Sequence, residues 1–191
     1  MIGIIDYKLG NTGNLINALH TLGYESILTN DRETLETCST IILPGVGHFK
    51  EAMQNINDLH LTDTLIELSR TKPFIGICLG MQLLFEDSEE GHVKGLGLLK
   101  GSIRRIQTEH PVPHLGWNTL KSDSESLNGR DVYFVHSYQL TESPDIIASA
   151  DYGTVIPAVV QKDNIIGIQF HPEKSGEIGL KILNDALQRS F

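Results

Sequence analysis

The sequence predicts an α/β fold: an open, mostly parallel sheet with helices on both faces and an antiparallel extension. Three observations carry that expectation. Short continuous apolar runs alternate with helical stretches through the first 80 residues, as strands buried on both faces require. From about residue 97 the helical spacing disappears, and strand-like runs follow one another between Gly, Asn and Asp turns, the pattern of antiparallel pairing. The chain then closes on a helical stretch, roughly 176–189, with Ile178, Ile182, Leu183 and Ala186 at helical spacing.

Taken in order, residues 2–6 form a buried strand, 14–22 a helix stopped by Gly23, and 24–29 a second strand. Thr40-Ile41-Ile42-Leu43 is the third, closed by Pro44-Gly45-Val46-Gly47. Helices around 48–57 and 62–71 lead to a fourth strand over 73–77. Strands joined through helices imply right-handed crossovers and a sheet covered on both sides. The strand-like runs near 97–106, 115–121, 131–138, 146–150, 156–162 and 164–170 have no helices between them and extend the sheet in antiparallel fashion.

At 191 residues the chain fits one domain, 1–191, long enough to bury a sizeable core. A net charge of −9, with no basic stretch to offset it, argues against nucleic acid as a partner. The two cysteines, Cys38 and Cys78, lack metal-ligand spacing and read as free thiols in a reducing compartment. No apolar stretch approaches membrane-spanning length and the N-terminus lacks the basic start of a signal peptide. A cytoplasmic protein that engages no membrane is the expectation.

The chemistry centres on Cys78, in Gly76-Ile77-Cys78-Leu79-Gly80 at the end of the fourth strand. A cysteine between glycines at a strand-to-helix turn is the thiol counterpart of the nucleophile elbow. The glycines are expected to permit the sharp turn, and a helix opening at Leu79 points its N-terminal amides at the sulfur. Cys38 has no such setting and reads as a small space-filling residue. Far downstream, His171-Pro172-Glu173 places an imidazole and a carboxylate two residues apart. On an extended strand both face the same way, and Pro172 keeps His171 out of the helical region. Nucleophile, base and orienting carboxylate are then all present. Pro44-Gly45-Val46-Gly47 reads either as a tight turn or as a loop lending an amide to an oxyanion hole beside the amide of Leu79. The other histidines, His20, His48, His60, His92, His110, His114 and His136, lack ligand spacing, and no metal site emerges. Phe134 reads as core.

These residues resemble the class I, triad-type glutamine amidotransferases. The resemblance is carried by Pro44-Gly45-Val46-Gly47, Gly76-Ile77-Cys78-Leu79-Gly80-Met81-Gln82 and Gln169-Phe170-His171-Pro172-Glu173, and spans nearly the whole chain. Within that family it looks most like the branch of glutaminase subunits serving imidazole glycerol phosphate synthase. Gly116-Trp117-Asn118, Tyr133-Phe134-Val135-His136-Ser137-Tyr138, Lys174-Ser175, and Asp6-Tyr7 with Gly10-Asn11 carry that narrower likeness.

The resemblance implies a flavodoxin-like sheet, no cofactor, and hydrolysis of L-glutamine to glutamate and ammonia. The ammonia would pass to a separate (β/α)8-barrel partner, the cyclase subunit of imidazole glycerol phosphate synthase, in a heterodimer. There, phosphoribulosyl formimino-AICAR phosphate becomes imidazole glycerol phosphate and AICAR in histidine biosynthesis. By this likeness Cys78 is the nucleophile, His171 the base and then the acid, and Glu173 the orienter. Gln82, Glu90, Ser137 and Tyr138 correspond to glutamine-binding positions, Gly47 and Leu79 to the oxyanion site, and Trp117 and Lys174 to the partner-facing surface. Glu90 suits the cationic α-amino group of glutamine, although Glu89 and Glu90 also read as a solvated pair in a loop.

Lys8, His48 and Leu115 depart from the family pattern, the first at the expected partner-facing edge. None touches the triad. Three other readings stay open on the sequence: a glutaminase serving a different synthase, a non-catalytic module on the same fold, and a cysteine peptidase or γ-glutamyl hydrolase.

Overall fold

β1 (Ile2–Ile5) opens the computed structural model, which describes all residues from Met1 to Phe191. Its four residues are all buried, so it lies inside the sheet and not at an edge. The chain continues through α1 (Thr12–Thr21), β2 (Ser26–Thr29), α2 (Arg32–Thr37), β3 (Thr40–Leu43), α3 (Phe49–Asp58), α4 (Thr62–Thr71), β4 (Phe74–Ile77) and the one-turn α5 (Leu79–Leu83). α2 is absent from the sequence reading. At six residues it is too short to show a period, and its signal is Asp31, whose carboxylate accepts the Thr34 amide at 2.8 Å as an N-cap.

The second half holds β5 (Asp87–Ser88), β6 (Val93–Lys94), β7 (Ser102–Arg105), β8 (His114–Thr119), β9 (Lys121–Ser122), β10 (Asp131–His136), β11 (Tyr138–Leu140), β12 (Ile146–Asp151), β13 (Val155–Lys162), β14 (Ile165–Ile168) and α6 (Gly176–Gln188). The main sheet runs β2-β1-β3-β4-β14-β13-β12-β9. Pairings from β2 through β14 are parallel, and those of β13, β12 and β9 antiparallel.

The expected mixed α/β sheet is therefore present, but its antiparallel extension is narrower than the strand-like runs implied. β8 and β10 pair only with each other, and β11, β7, β5 and β6 form a third sheet. The run over 131–138 in fact breaks at Ser137, where the chain leaves one small sheet for another. Alternation reports that a segment is a strand; it carries no information about which strand lies beside it.

The strand residues split the core in two. Ile2, Ile4, Ile42, Ile75, Ile77, Ile166 and Ile168 face one side, with Leu15 and Leu19 of α1 and Ile182 and Leu183 of α6. Ile5, Ile41, Leu43, Phe74 and Ile165 face the other, with Leu35 of α2, Phe49 and Ile56 of α3, Leu65 of α4 and Leu79 of α5. Each cluster holds 25 buried residues, so both faces are equally deep and the carboxyl ends of the parallel strands remain the accessible edge for a ligand. No helix is long and apolar enough to cross a membrane.

Candidate active site

Cys78 follows β4 directly and stands at the N-terminus of α5 with φ 54° and ψ −112°. A non-glycine residue in that region is strained by about 1–3 kcal/mol and persists only where its surroundings force it. The forcing comes from the flanking glycines, although not in the expected way. Neither has the left-handed φ; both are needed for close approach. A Cβ on Gly80 would collide with the Leu43 carbonyl, and one on Gly76 would lie 2.7 Å from the Gly80 oxygen. α5 is thus seated directly on the ends of β3 and β4, and Cys78 alone makes the turn.

His171 follows β14 in extended conformation, at φ −101° and ψ 95°. Pro172–Lys174 then form a single 3-10 turn, so Glu173 reaches His171 through a turn and not along a strand. Pro172 fixes φ at the start of that turn and ends the extension expected through 173. Nδ1–H of His171 donates to Glu173 Oε1 at 2.8 Å, with both side chains almost fully buried. The turn is stitched in place by Ser175, whose hydroxyl donates to the His171 carbonyl at 2.7 Å and accepts the Tyr133 amide at 2.9 Å.

Nε2 of His171 is buried and has no hydrogen-bond partner in the protein. Burial alone lowers the pKa of an imidazole. Here the neighbouring Cys78 sulfur and the Glu173 carboxylate outweigh it and hold His171 above the ordinary histidine range. A sulfur on an elbow, an imidazole with one nitrogen free, and a carboxylate on its other nitrogen form the set that acyl transfer from a carboxamide requires.

The loop after β3 shows both of the roles considered for it. Gly45 is packed tightly: a Cβ there would clash with the Tyr7 hydroxyl and lie 2.9 Å from the Leu79 Cβ. That hydroxyl, wholly buried, donates to the Pro44 carbonyl at 2.6 Å and pins the loop's first residue. Gly47 has φ 102° with open space around it, so the loop's freedom lies there. The Leu79 amide is not free; it donates to the Gly45 carbonyl at 3.3 Å. A shift of the loop would have to release it before it met an oxyanion.

A cavity of about 510 Å³ collects Gly47, Cys78, Leu79, Gln82, Glu90, Ser137, Tyr138, His171 and Lys174. Every predicted triad, binding and oxyanion position thus lines it except Glu173, which stands behind His171. Gln82 has both amide hydrogens committed, to the Tyr138 carbonyl at 2.9 Å and to Gln169 Oε1 at 3.0 Å, leaving its oxygen for a ligand. Glu90 is not a solvated loop residue. Its carboxylate accepts the Phe49 amide at 2.8 Å at the start of α3, with His48 4.0 Å away. Glu89 instead turns outward, onto the Arg105 amide.

Asn11, Val46, Pro113, Val135 and His136 also line the cavity and were not among the predicted site residues. Of these, Asn11, Val46, Val135 and His136 sit within motifs the sequence displays, whereas Pro113 enters from the approach to β8, which no local pattern reveals. Trp117 lies apart from the cavity on β8, 60% exposed and edge-on to Tyr133 at 6.0 Å. With the equally exposed Leu115, two residues earlier on the same strand, it makes an exposed apolar face on β8. Lys174 lines the cavity itself.

Comparison with known proteins agrees with this architecture. The family described as Glutamine amidotransferase class-I matches residues 3–189. Imidazole glycerol phosphate synthase subunit HisH of Staphylococcus aureus strain MRSA252 is 56% identical over 191 residues, covering 100% of this chain and 98% of that protein. The protein of the same description from Staphylococcus epidermidis shows the same identity and coverage. Among solved structures, one described as a glutamine amidotransferase superposes with a TM-score of 0.80 at 19% identity, covering 99% of this chain and 98% of its own. A chain of PurLQS from Thermotoga maritima gives 0.73 at 20% identity, covering 98% and 97%. At such identity the solved structures speak to fold alone, whereas the family match runs almost from end to end over a cysteine elbow and a buried His–Glu pair: the chain belongs to the class I glutamine amidotransferases.

Proposed function

We propose that the chain is the glutaminase subunit of an imidazole glycerol phosphate synthase, a single domain over 1–191 acting in the cytoplasm. The observation that carries the catalytic part is the unpartnered Nε2 of His171, facing the cavity that holds Cys78 while Glu173 occupies the opposite nitrogen. In this reading the Cys78 thiolate attacks the side-chain carbonyl carbon of glutamine, and the carbonyl electrons move onto oxygen. His171 gives its proton from Nε2 to the departing nitrogen, which leaves as ammonia, and a thioester remains on Cys78. Water, deprotonated by the same nitrogen, hydrolyses the thioester to glutamate and restores the thiolate. Glu173 keeps the ring oriented and stabilises its charged form.

Gly47 and Leu79 supply amides to the developing oxyanion, worth about 3 kcal/mol each. The engagement of the Leu79 amide with Gly45 supports a resting state of low activity. Gln82, Glu90, Ser137 and Tyr138 bind glutamine, with Glu90 opposite its α-ammonium group. Trp117 and Lys174 meet the (β/α)8-barrel cyclase subunit, which receives the ammonia. The 56% identity to synthase subunits over the whole chain supports this partner over that of another synthase.

Glutamate release, measured alone, with the cyclase barrel, and with the barrel plus its nucleotide ligand, tests the reading. Low activity alone and strong stimulation by both together are expected. Cys78→Ala should lose at least 1,000-fold (roughly the scale of losing a triad nucleophile), and an unchanged rate refutes the nucleophile. Recovery of a different synthase on co-purification refutes the partner.

A further inference from the structure

β10 and β11 belong to different sheets, and the chain crosses between them at Ser137, in the wall of the cavity. The Ser137 carbonyl accepts the Ile106 amide at 2.9 Å. The Tyr138 carbonyl is held by two side chains, His136 Nδ1 at 2.8 Å and Gln82 Nε2 at 2.9 Å. His136 is joined in turn to His114, its cross-strand neighbour on β8, with His136 Nε2 and His114 Nδ1 3.1 Å apart. Nε2 of His114 lies 3.2 Å from Asn118 Nδ2.

Chemistry fixes the direction of every link. A carbonyl oxygen only accepts, so His136 Nδ1 carries a hydrogen. A neutral His136 then presents a bare Nε2, which must accept from Nδ1–H of His114. Nε2 of His114 is bare by the same logic and accepts from the Asn118 amide. That amide is oriented independently: it donates to the Asp151 carbonyl at 2.8 Å, and its oxygen accepts the Thr119 amide at 2.8 Å. Burial keeps both rings neutral, taking His136 down to about 3 against the opposing pull of its hydrogen bond to the Tyr138 carbonyl, and His114 down to about 4. His114 is also stacked between Phe134, at 4.5 Å, and Tyr152, at 4.0 Å.

We propose that His114 and His136 are positioning residues for glutamine: the one-way chain from Asn118 to the Tyr138 carbonyl sets the Ser137–Tyr138 segment of the cavity wall. The inference rests on the glutaminase reading above. Two imidazoles are a poor filling for a core unless their nitrogens are bonded. Here all four are, and a fully satisfied network of this kind admits one geometry. An aromatic pair of similar shape would occupy the same space without fixing the direction of the carbonyl.

The test measures kcat and KM for glutamine in the complex with the cyclase barrel and its nucleotide ligand. His114→Phe keeps the stack and removes both polar links; His114→Asn keeps a donor near the Nδ1 position. His114→Phe should raise KM by roughly tenfold, the scale of losing one hydrogen bond, with kcat within about twofold. His114→Asn should recover most of that loss. Asn118→Leu cuts the chain from outside the core and should raise KM by roughly threefold, which keeps the test decisive if the His114 variants fail to fold. An unchanged KM in Asn118→Leu and in folded His114→Phe overturns the proposal. So does a parallel loss of kcat, glutamine affinity and melting temperature in both His114 variants, the mark of a merely structural pair. A wild-type complex that releases no glutamate overturns the functional reading and this inference together, whereas an active wild type with no KM effect overturns the positioning alone.

Discussion

The two halves of the molecule fix their parts of the cavity by different means. In the parallel half, Cys78 and the Gly45–Gly47 loop are placed by backbone against backbone. Gly76 and Gly80 let α5 sit on β3 and β4, and Tyr7 clamps Pro44. The opposite wall, where the chain passes between the two small antiparallel sheets, is placed by side chains: His136, with Gln82 reaching across from α5, on the Tyr138 carbonyl. Close backbone packing is unforgiving of even one methyl group. A hydrogen-bonded wall depends on protonation and on donor direction, and yields more gradually. Cys78 is therefore the fixed point of the cavity, and the Ser137–Tyr138 wall is where geometry can be tuned.

The strongest challenge to this contrast is Gly80→Ala. Its Cβ meets the Leu43 carbonyl, so α5 must lift from the sheet, at a cost of about 3 kcal/mol or more. A urea midpoint unchanged from wild type would show that backbone contact does not hold the elbow. Acid probes the other half. His114 and His136 are neutral when folded but titrate near 6.5 when unfolded, so the unfolded chain binds more protons and stability falls as pH drops below about 6.5. The loss approaches roughly 2 kcal/mol per histidine by pH 5. His171 has the opposite sign: its contribution is complete below 6.5 and is lost as pH rises through its raised value. Urea midpoints at pH 6.5 and pH 5 should therefore converge in His114→Phe relative to wild type, and an equal drop in both would remove His114 from the account. The smallest effect on the fold is expected from Trp117→Ala. This exposed side chain should change stability by no more than about 0.5 kcal/mol. Calorimetric titration with the cyclase barrel should nevertheless weaken by about 2 kcal/mol; unaltered binding would move the partner surface elsewhere.

The same division explains what could be read from the chain. β1, β3 and β4 were legible as short apolar runs, because strands buried on both faces leave no alternative pattern, and the cysteine elbow and His-Pro-Glu triplet stood out locally. The apportioning of the later strands among three sheets was not legible. Register between β8 and β10, or the break at Ser137, depends on partners distant in sequence. For the same reason His114 and His136 read as scattered residues: their meaning arises only when antiparallel pairing sets them opposite each other. The glycines of the elbow were recognised but misread, since a glycine required for contact looks the same in sequence as one required for φ. The hydrogen bond that occupies the Leu79 amide left no sequence signal at all.

The left-handed φ of Cys78 has a consequence for how the protein responds to selection. Glycine adopts that conformation without strain, so the substitution that relaxes this backbone most also deletes the sulfur. Any screen that rewards heat resistance without demanding turnover is therefore biased toward losing the thiol at residue 78. Robustness and the thiol compete there for one dihedral angle, and a lineage that keeps Cys78 carries that strain as a standing burden.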